Sequence, residues 1–141
     1  ADKIQHVAAA LAAEAGLPRQ RQQDQADAET IATGLTVISD DFACTDCHRF
    51  ESGKFQQIAD ADYEMIAPDL SGYMSREWLL AFLRNPAATQ FYGENNDRMP
   101  AFAPHEDASL NQLDDKTLGL IVDWLRRDWY EPEEQGEGSK Q

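Results

Sequence analysis

Cys44-Thr45-Asp46-Cys47-His48 contains both cysteines of the chain and one of its three histidines. On a helical turn, side chains three positions apart share one side, so the two thiols stand together with an imidazole next in line. Several chemistries use such a pair. A structural disulfide and a thioredoxin-like redox couple need nothing more than the thiols, and a tetrahedral zinc site needs a second pair of ligands. A redox couple is expected in a βαβ setting, of which the sequence has no sign, and no second ligand pair for zinc is evident. Covalent haem attachment is the chemistry that also uses the adjacent histidine. There, the two thiols form thioethers to the vinyl groups along one porphyrin edge and the adjacent histidine reaches the iron. The pentapeptide is read in this way, as the site of one haem c bound through Cys44 and Cys47.

Outward from the pentapeptide, the apolar periodicity is helical. Ile4, Val7, Ala8, Leu11 and Ala15 predict a helix over Asp2–Ala15, stopped by Gly16-Leu17-Pro18. A polar connection, Arg19 to Gln25, leads to a second stripe of Ile31, Leu35 and Ile38. Gly34 lies beside that stripe; glycine inside a helix costs about 1 kcal/mol relative to alanine, so a close helix crossing is expected there. Ser75 can cap a third helix with Trp78, Leu79, Phe82 and Leu83 on one face, ended by Asn85-Pro86. Asp114 can cap a fourth, with Leu113 and Leu118 placed as a hydrophobic staple and Leu118, Ile121, Val122 and Leu125 as its buried stripe. No run alternates with period two and no repeat is present, so the expected class is all-α.

Two long connections, Phe50 to Met74 and Ala87 to Asn111, separate these helices. Loops beyond about 12 to 15 residues are uncommon in compact domains without a functional role. These carry apolar side chains, among them Phe50, Phe55, Tyr63, Met65, Ile66 and Phe91, which need an apolar partner. A large flat cofactor would supply one, in agreement with the pentapeptide.

A length of 141 residues and a mass of 15.8 kDa fit one domain. The mean hydropathy of -0.61 and the short apolar stretches exclude a membrane-spanning helix and hence direct membrane insertion by this chain. The start at Ala1 shows no basic n-region before an apolar core, so any export signal or anchor is expected to lie outside this sequence. Twelve Lys and Arg stand against 26 Asp and Glu, a net charge of -14, which excludes nucleic acid as a partner. Between Gln22 and His48 there are Asp24, Asp27, Glu29, Asp40, Asp41 and Asp46 and no Lys or Arg. This run is either a solvated surface or a docking face. Residues 131–141 have the composition of a flexible acidic tail.

Over roughly Asp27 to Tyr130 the sequence resembles the monohaem class I cytochromes c. The resemblance rests on the haem-binding pentapeptide, then Ala67-Pro68-Asp69-Leu70-Ser71-Gly72, the helix ending Leu83-Arg84-Asn85-Pro86, the segment Arg98-Met99-Pro100-Ala101-Phe102 and an aromatic-bearing C-terminal helix, in the family's order. It implies the class I cytochrome c fold around the haem in 27–130, preceded by an N-terminal helix and linker in 1–26 and followed by the tail in 131–141.

Carried over by position, the resemblance makes His48 the proximal and Met99 the distal iron ligand. A thioether is a suitable soft ligand that raises the reduction potential. The alternative for Met99 is a gap-filling core methionine, and Met65, Met74, His6 and His105 compete for the sixth position, for which Met99 is favoured. The Pro68 carbonyl is the implied acceptor for the second ring nitrogen of His48. Leu70 and Phe82 are implied on the haem faces. Tyr73, Trp78 and Arg98 are candidates for the propionates, and Gly34 and Ile38 for a contact with the C-terminal helix opposite Trp124.

The chain departs from the simplest family pattern in its extra N-terminal helix, its acidity and its long Pro86 to Met99 loop. A weaker resemblance, in Tyr92-Gly93-Glu94-Asn95-Asn96-Asp97-Arg98-Met99 and Asp128-Trp129-Tyr130-Glu131-Pro132, is to cytochrome c domains of bacterial quinol-oxidising complexes. The expected function is therefore one-electron transfer in a bacterial respiratory chain rather than catalysis. The location implied is periplasmic or otherwise extracytoplasmic. Partners are redox proteins with a basic docking face, and a membrane cytochrome b-type subunit is a second candidate. The alternative is a haem enzyme or gas sensor in which Met99 detaches.

Overall fold

The computed structural model describes residues 2–52, 55 and 56, 67–96 and 98–128. Five helices dominate: α1 (Asp2–Glu14), α2 (Arg21–Ala26), α3 (Ala28–Thr36), α4 (Arg76–Arg84) and α5 (Asp115–Arg126). Among the described residues the extended structure is a two-residue antiparallel pair, β1 (Glu51–Ser52) and β2 (Phe55–Gln56), with Glu51 opposite Gln56. The chain is all-α in class. The side chains of Phe55, Tyr63, Met65 and Ile66, and the whole of 131–141, lie outside the described residues.

The stretch read as a polar connection, Arg19 to Gln25, is helical: a 3-10 turn over Pro18–Gln20 runs into α2. Proline at the first position pre-sets the turn, and Arg and Gln are good helix formers. No residue of α2 is buried, so the sequence holds no apolar stripe to reveal it. α3 continues past Thr36 into a π-type turn, Val37–Asp41, closed by the Phe42 amide donating to the Val37 carbonyl at 2.9 Å.

α3 packs chiefly on α1. A Cβ on Gly34 would overlap the His6 carbonyl oxygen and come within 2.8 Å of Ala10 Cβ, so the two helix backbones meet at this glycine. Ala10, Ile38 and Phe50 form the core of this half, with Val7, Leu11, Leu35, Cys44 and Leu70 packed around it.

α4 and α5 form the other half. Ser75 Oγ accepts from the Trp78 amide at 3.1 Å and Asp114 Oδ1 from the Thr117 amide at 2.7 Å, so both helices are capped as their sequences predict. Hydrogen bonding to Thr117 holds the Asp114 carboxyl below its ordinary range. Leu79, Leu83, Ala103, Leu118 and Val122 make the second core, and Leu113 joins Leu118 there as the staple requires. Leu125, expected in the stripe, is 47% exposed. The buried place at that end of α5 goes to Arg126, whose Nη1 donates to the carbonyls of Ala15 at 2.8 Å and Met74 at 2.7 Å while its Nε pairs with Asp128. This side chain joins the end of α1 to α5.

Candidate cofactor site

Cys44 opens a single 3-10 turn, Cys44–Asp46, entered through Ala43 in the left-handed region at φ 49°. Side chains three apart eclipse one another in such a turn, which sets Cys44 and Cys47 on one side. The amides of Cys47 and His48 both donate to the Cys44 carbonyl, at 3.2 and 2.9 Å. Neither cysteine is in a disulfide; Cys44 is half-buried against the α1/α3 core and Cys47 is exposed.

His48 is half-buried, and its Nδ1 lies 2.7 Å from the Pro68 carbonyl oxygen, the pairing the resemblance implies. A carbonyl can only accept, so Nδ1 is the donor, and in a neutral imidazole with that tautomer the lone pair lies at Nε2. Three further bonds hold this loop. The Leu70 amide donates to the Arg49 carbonyl at 2.9 Å, the Asp69 amide to the Gln90 carbonyl at 2.9 Å, and the Glu51 amide to Ser71 Oγ at 3.0 Å. Beside them Glu51, hydrogen-bonded to the Arg49 guanidinium, holds that group above its ordinary value.

Met99 is half-buried against the α4/α5 core, and its carbonyl accepts from Asn96 Nδ2 at 2.8 Å. Trp78 stacks on Phe82 and meets Tyr73 and Phe91 edge-on, all at ring separations of 5.1 Å. The Trp78 indole N–H donates to the Asp69 carbonyl at 2.8 Å, so its donor is taken by the backbone rather than left for a propionate. That same bond links the two sets of residues: Cys44, Cys47, His48, Pro68 and Leu70 on one side, Met99, Trp78 and Phe82 on the other.

Tyr73 is half-buried in the aromatic group and Arg98 is exposed. Of the competing ligands, Met74 is 38% exposed, and His105 is exposed with its backbone pinned by Asn111. The carbonyl of His6 lies at the Gly34 crossing, and Met65 is outside the described residues. The expected contact of Gly34 with the C-terminal helix is not what this structure contains. α1 occupies the Gly34 crossing instead, and Trp124 is 69% exposed. A glycine in sequence marks a close approach without naming the helix that makes it.

Sequence alone does not single out Asn96 or Arg126; their partners are backbone carbonyls, which leave no pattern in side-chain types. Among the described residues no three His, Cys, Asp or Glu side chains gather as a metal-binding group. Among the same residues no helix is long and apolar enough to cross a membrane. No protein-family model, curated protein or solved structure matches the chain.

Proposed function

We propose that the chain carries single electrons on one c-type haem attached through Cys44 and Cys47, with His48 and Met99 as axial ligands, in the manner of the monohaem class I cytochromes c that it resembles. The observation that carries this reading is the His48 Nδ1 to Pro68 carbonyl contact of 2.7 Å. It fixes the tautomer that leaves Nε2 ready to ligate, and such outer partners orient a ligating imidazole and raise its basicity. The donor set fits the group: two thiols on one side of a turn, a histidine with a free ring lone pair and a half-buried thioether. When bound, haem supplies an iron that changes between Fe(III) and Fe(II).

The chain's own residues do the rest. Asn96 holds the Met99 backbone, and the thioether favours the reduced metal. The packed rings of Trp78, Phe82 and Phe91 would offer the group an apolar wall. With His48 and Met99 both holding the iron, no position would be left for a substrate, which favours electron transfer over substrate catalysis. Asp40, Asp41 and Asp46 are exposed and lie within seven positions of the exposed Cys47 in the sequence, with Lys3 paired to Asp41 at 3.0 Å. Carboxylates so placed attract a redox protein with a basic face; such steering raises association rates about 10 to 1,000-fold and weakens with salt. Haem attached in this way in the families it resembles implies an extracytoplasmic location.

The test is a spectrum of the native protein and of Met99→Ala in both redox states, with carbon monoxide or imidazole added, beside the mass of the denatured chain. One covalent haem is expected, low-spin in the parent, with Met99→Ala opening the sixth position to added ligand and lowering the potential. Zinc in place of iron, haem that extracts into acidified organic solvent, or loss of low-spin character on His105→Ala but not on Met99→Ala would overturn the assignment.

A further inference from the structure

α1 precedes the stretch that resembles the monohaem cytochromes, yet its C-terminal end is joined to the loop that meets His48. Glu14, the last residue of α1, is half-buried, and its Oε2 accepts from the Gly72 amide at 2.9 Å across 58 positions of sequence. One residue on, the Ala15 carbonyl shares the Arg126 guanidinium with the Met74 carbonyl, at 2.8 and 2.7 Å. Leu70 of the same loop packs against the core of Ala10, Ile38 and Phe50. A hydrogen bond, a bridging cation and an apolar contact thus join residues 70–74 to the α1/α3 half.

Between these ties and Pro68 the loop is closed on itself. The Tyr73 amide donates to the Leu70 carbonyl at 3.0 Å, the Ser75 amide to the Gly72 carbonyl at 2.8 Å and the Ser71 amide to Asp69 Oδ1 at 2.8 Å. Gly72 at φ 61° takes the left-handed region without steric cost, whereas Met74 at φ 62° keeps it only where its surroundings hold it, and Arg126 grips its carbonyl. Pro68 is four residues before Gly72, and its carbonyl oxygen lies 2.7 Å from His48 Nδ1. A shift of the Gly72 amide is therefore carried through a short, cross-bonded segment to the acceptor of the imidazole. An amide that donates to a carboxylate makes a stronger bond than one that donates to a neutral oxygen, so Glu14 is a firm anchor for that segment.

We propose that Glu14 is a positioning residue for His48: through Gly72 it holds the loop that presents the Pro68 carbonyl, and so makes α1 a brace for the imidazole. The part of that imidazole as an iron ligand rests on the electron-transfer reading, while the brace does not.

The test compares the full-length protein as isolated with Glu14→Ala, Glu14→Gln and Leu11→Ala, by hydrogen exchange at the Gly72 amide and by NMR of the His48 ring nitrogens. In Glu14→Ala the Gly72 amide should exchange about fivefold faster, as expected for one lost hydrogen bond, and the His48 Nδ1 proton should exchange faster with it. Glu14→Gln keeps an oxygen acceptor and should recover part of both. Leu11→Ala loosens α1 on its core but keeps the carboxylate, so it should lower the unfolding midpoint and leave the His48 signals in place. With haem bound, a weaker bond at Nδ1 leaves the imidazole a poorer donor to iron, so the reduction potential of Glu14→Ala should rise. Unchanged exchange at Gly72 would overturn the proposal. A faster Gly72 amide beside an unchanged His48 ring would also overturn it, as would His48 signals that move as far in Leu11→Ala as in Glu14→Ala. A chain without haem would sink the electron-transfer reading while the Gly72 and His48 signals still decide this one, so the two can fail separately.

Discussion

Gly34 and Leu118 each lie buried at the centre of a helix crossing, yet one contributes no side chain and the other a fully buried one. Around Gly34, α1 and α3 come together backbone to backbone, with Ala10 as the next layer. Around Leu118, α4 and α5 are held apart by Leu79, Leu83 and Val122 and tied at the surface by Arg76–Asp123 and Arg84–Asp115. The first half depends on the absence of an atom and the second on the presence of several. Opposite substitutions should therefore break them.

The largest effect is expected from Leu118→Ala. Removing a side chain at 0% exposure costs about 3 kcal/mol through lost burial and the cavity left behind. Denaturant unfolding should show the lower midpoint, and hydrogen exchange should rise first in α4 and α5. Gly34→Ala comes next, at about 2 kcal/mol, because α1 must retreat from the new methyl group. Its exchange signature should fall in α1 and α3 instead. If both variants loosen the same helices, the two-half description is wrong.

The smallest effect concerns acid. Asp123 is held below its ordinary value of 3.8, first by its hydrogen bond from Arg76 and then by that cation's charge. A carboxyl lowered by folding contributes stability that is full above 3.8 and is lost as the pH falls through the lower folded value. Asp123→Asn should remove this part of the acid sensitivity and shift stability at neutral pH by no more than about 1 kcal/mol, since the pair is partly exposed. An acid transition identical in the two proteins would place the sensitivity elsewhere.

Legibility in the sequence tracks the range of each interaction. Ser75 and Asp114 bond to amides three residues on, so their caps are written locally. Leu118 and Val122 carry the helical period, and the pentapeptide carries its own turn. The π-type end of α3 and the helicity of α2 are not legible: the former follows no local pattern of residue types, and the latter has no buried residue. At the candidate site, His48 and Pro68 are paired through a resemblance in motif order. The partner of the Trp78 indole has no signal in sequence, because a backbone carbonyl has no residue type.

Arg126 has a consequence in time rather than in energy. It reaches the Met74 carbonyl across 52 positions of sequence and the Ala15 carbonyl across 111, whereas the first tie between α4 and α5, Arg84 to Asp115, spans 31. The entropy of closing a loop grows with its length, so the shorter closures are favoured first. The guanidinium therefore locks a geometry that the two halves have already reached. An interaction absent from the folding transition state slows unfolding without speeding folding. Arg126 thus acts as a latch, governing how long the assembled chain lasts and leaving how fast it assembles to the helix pairs.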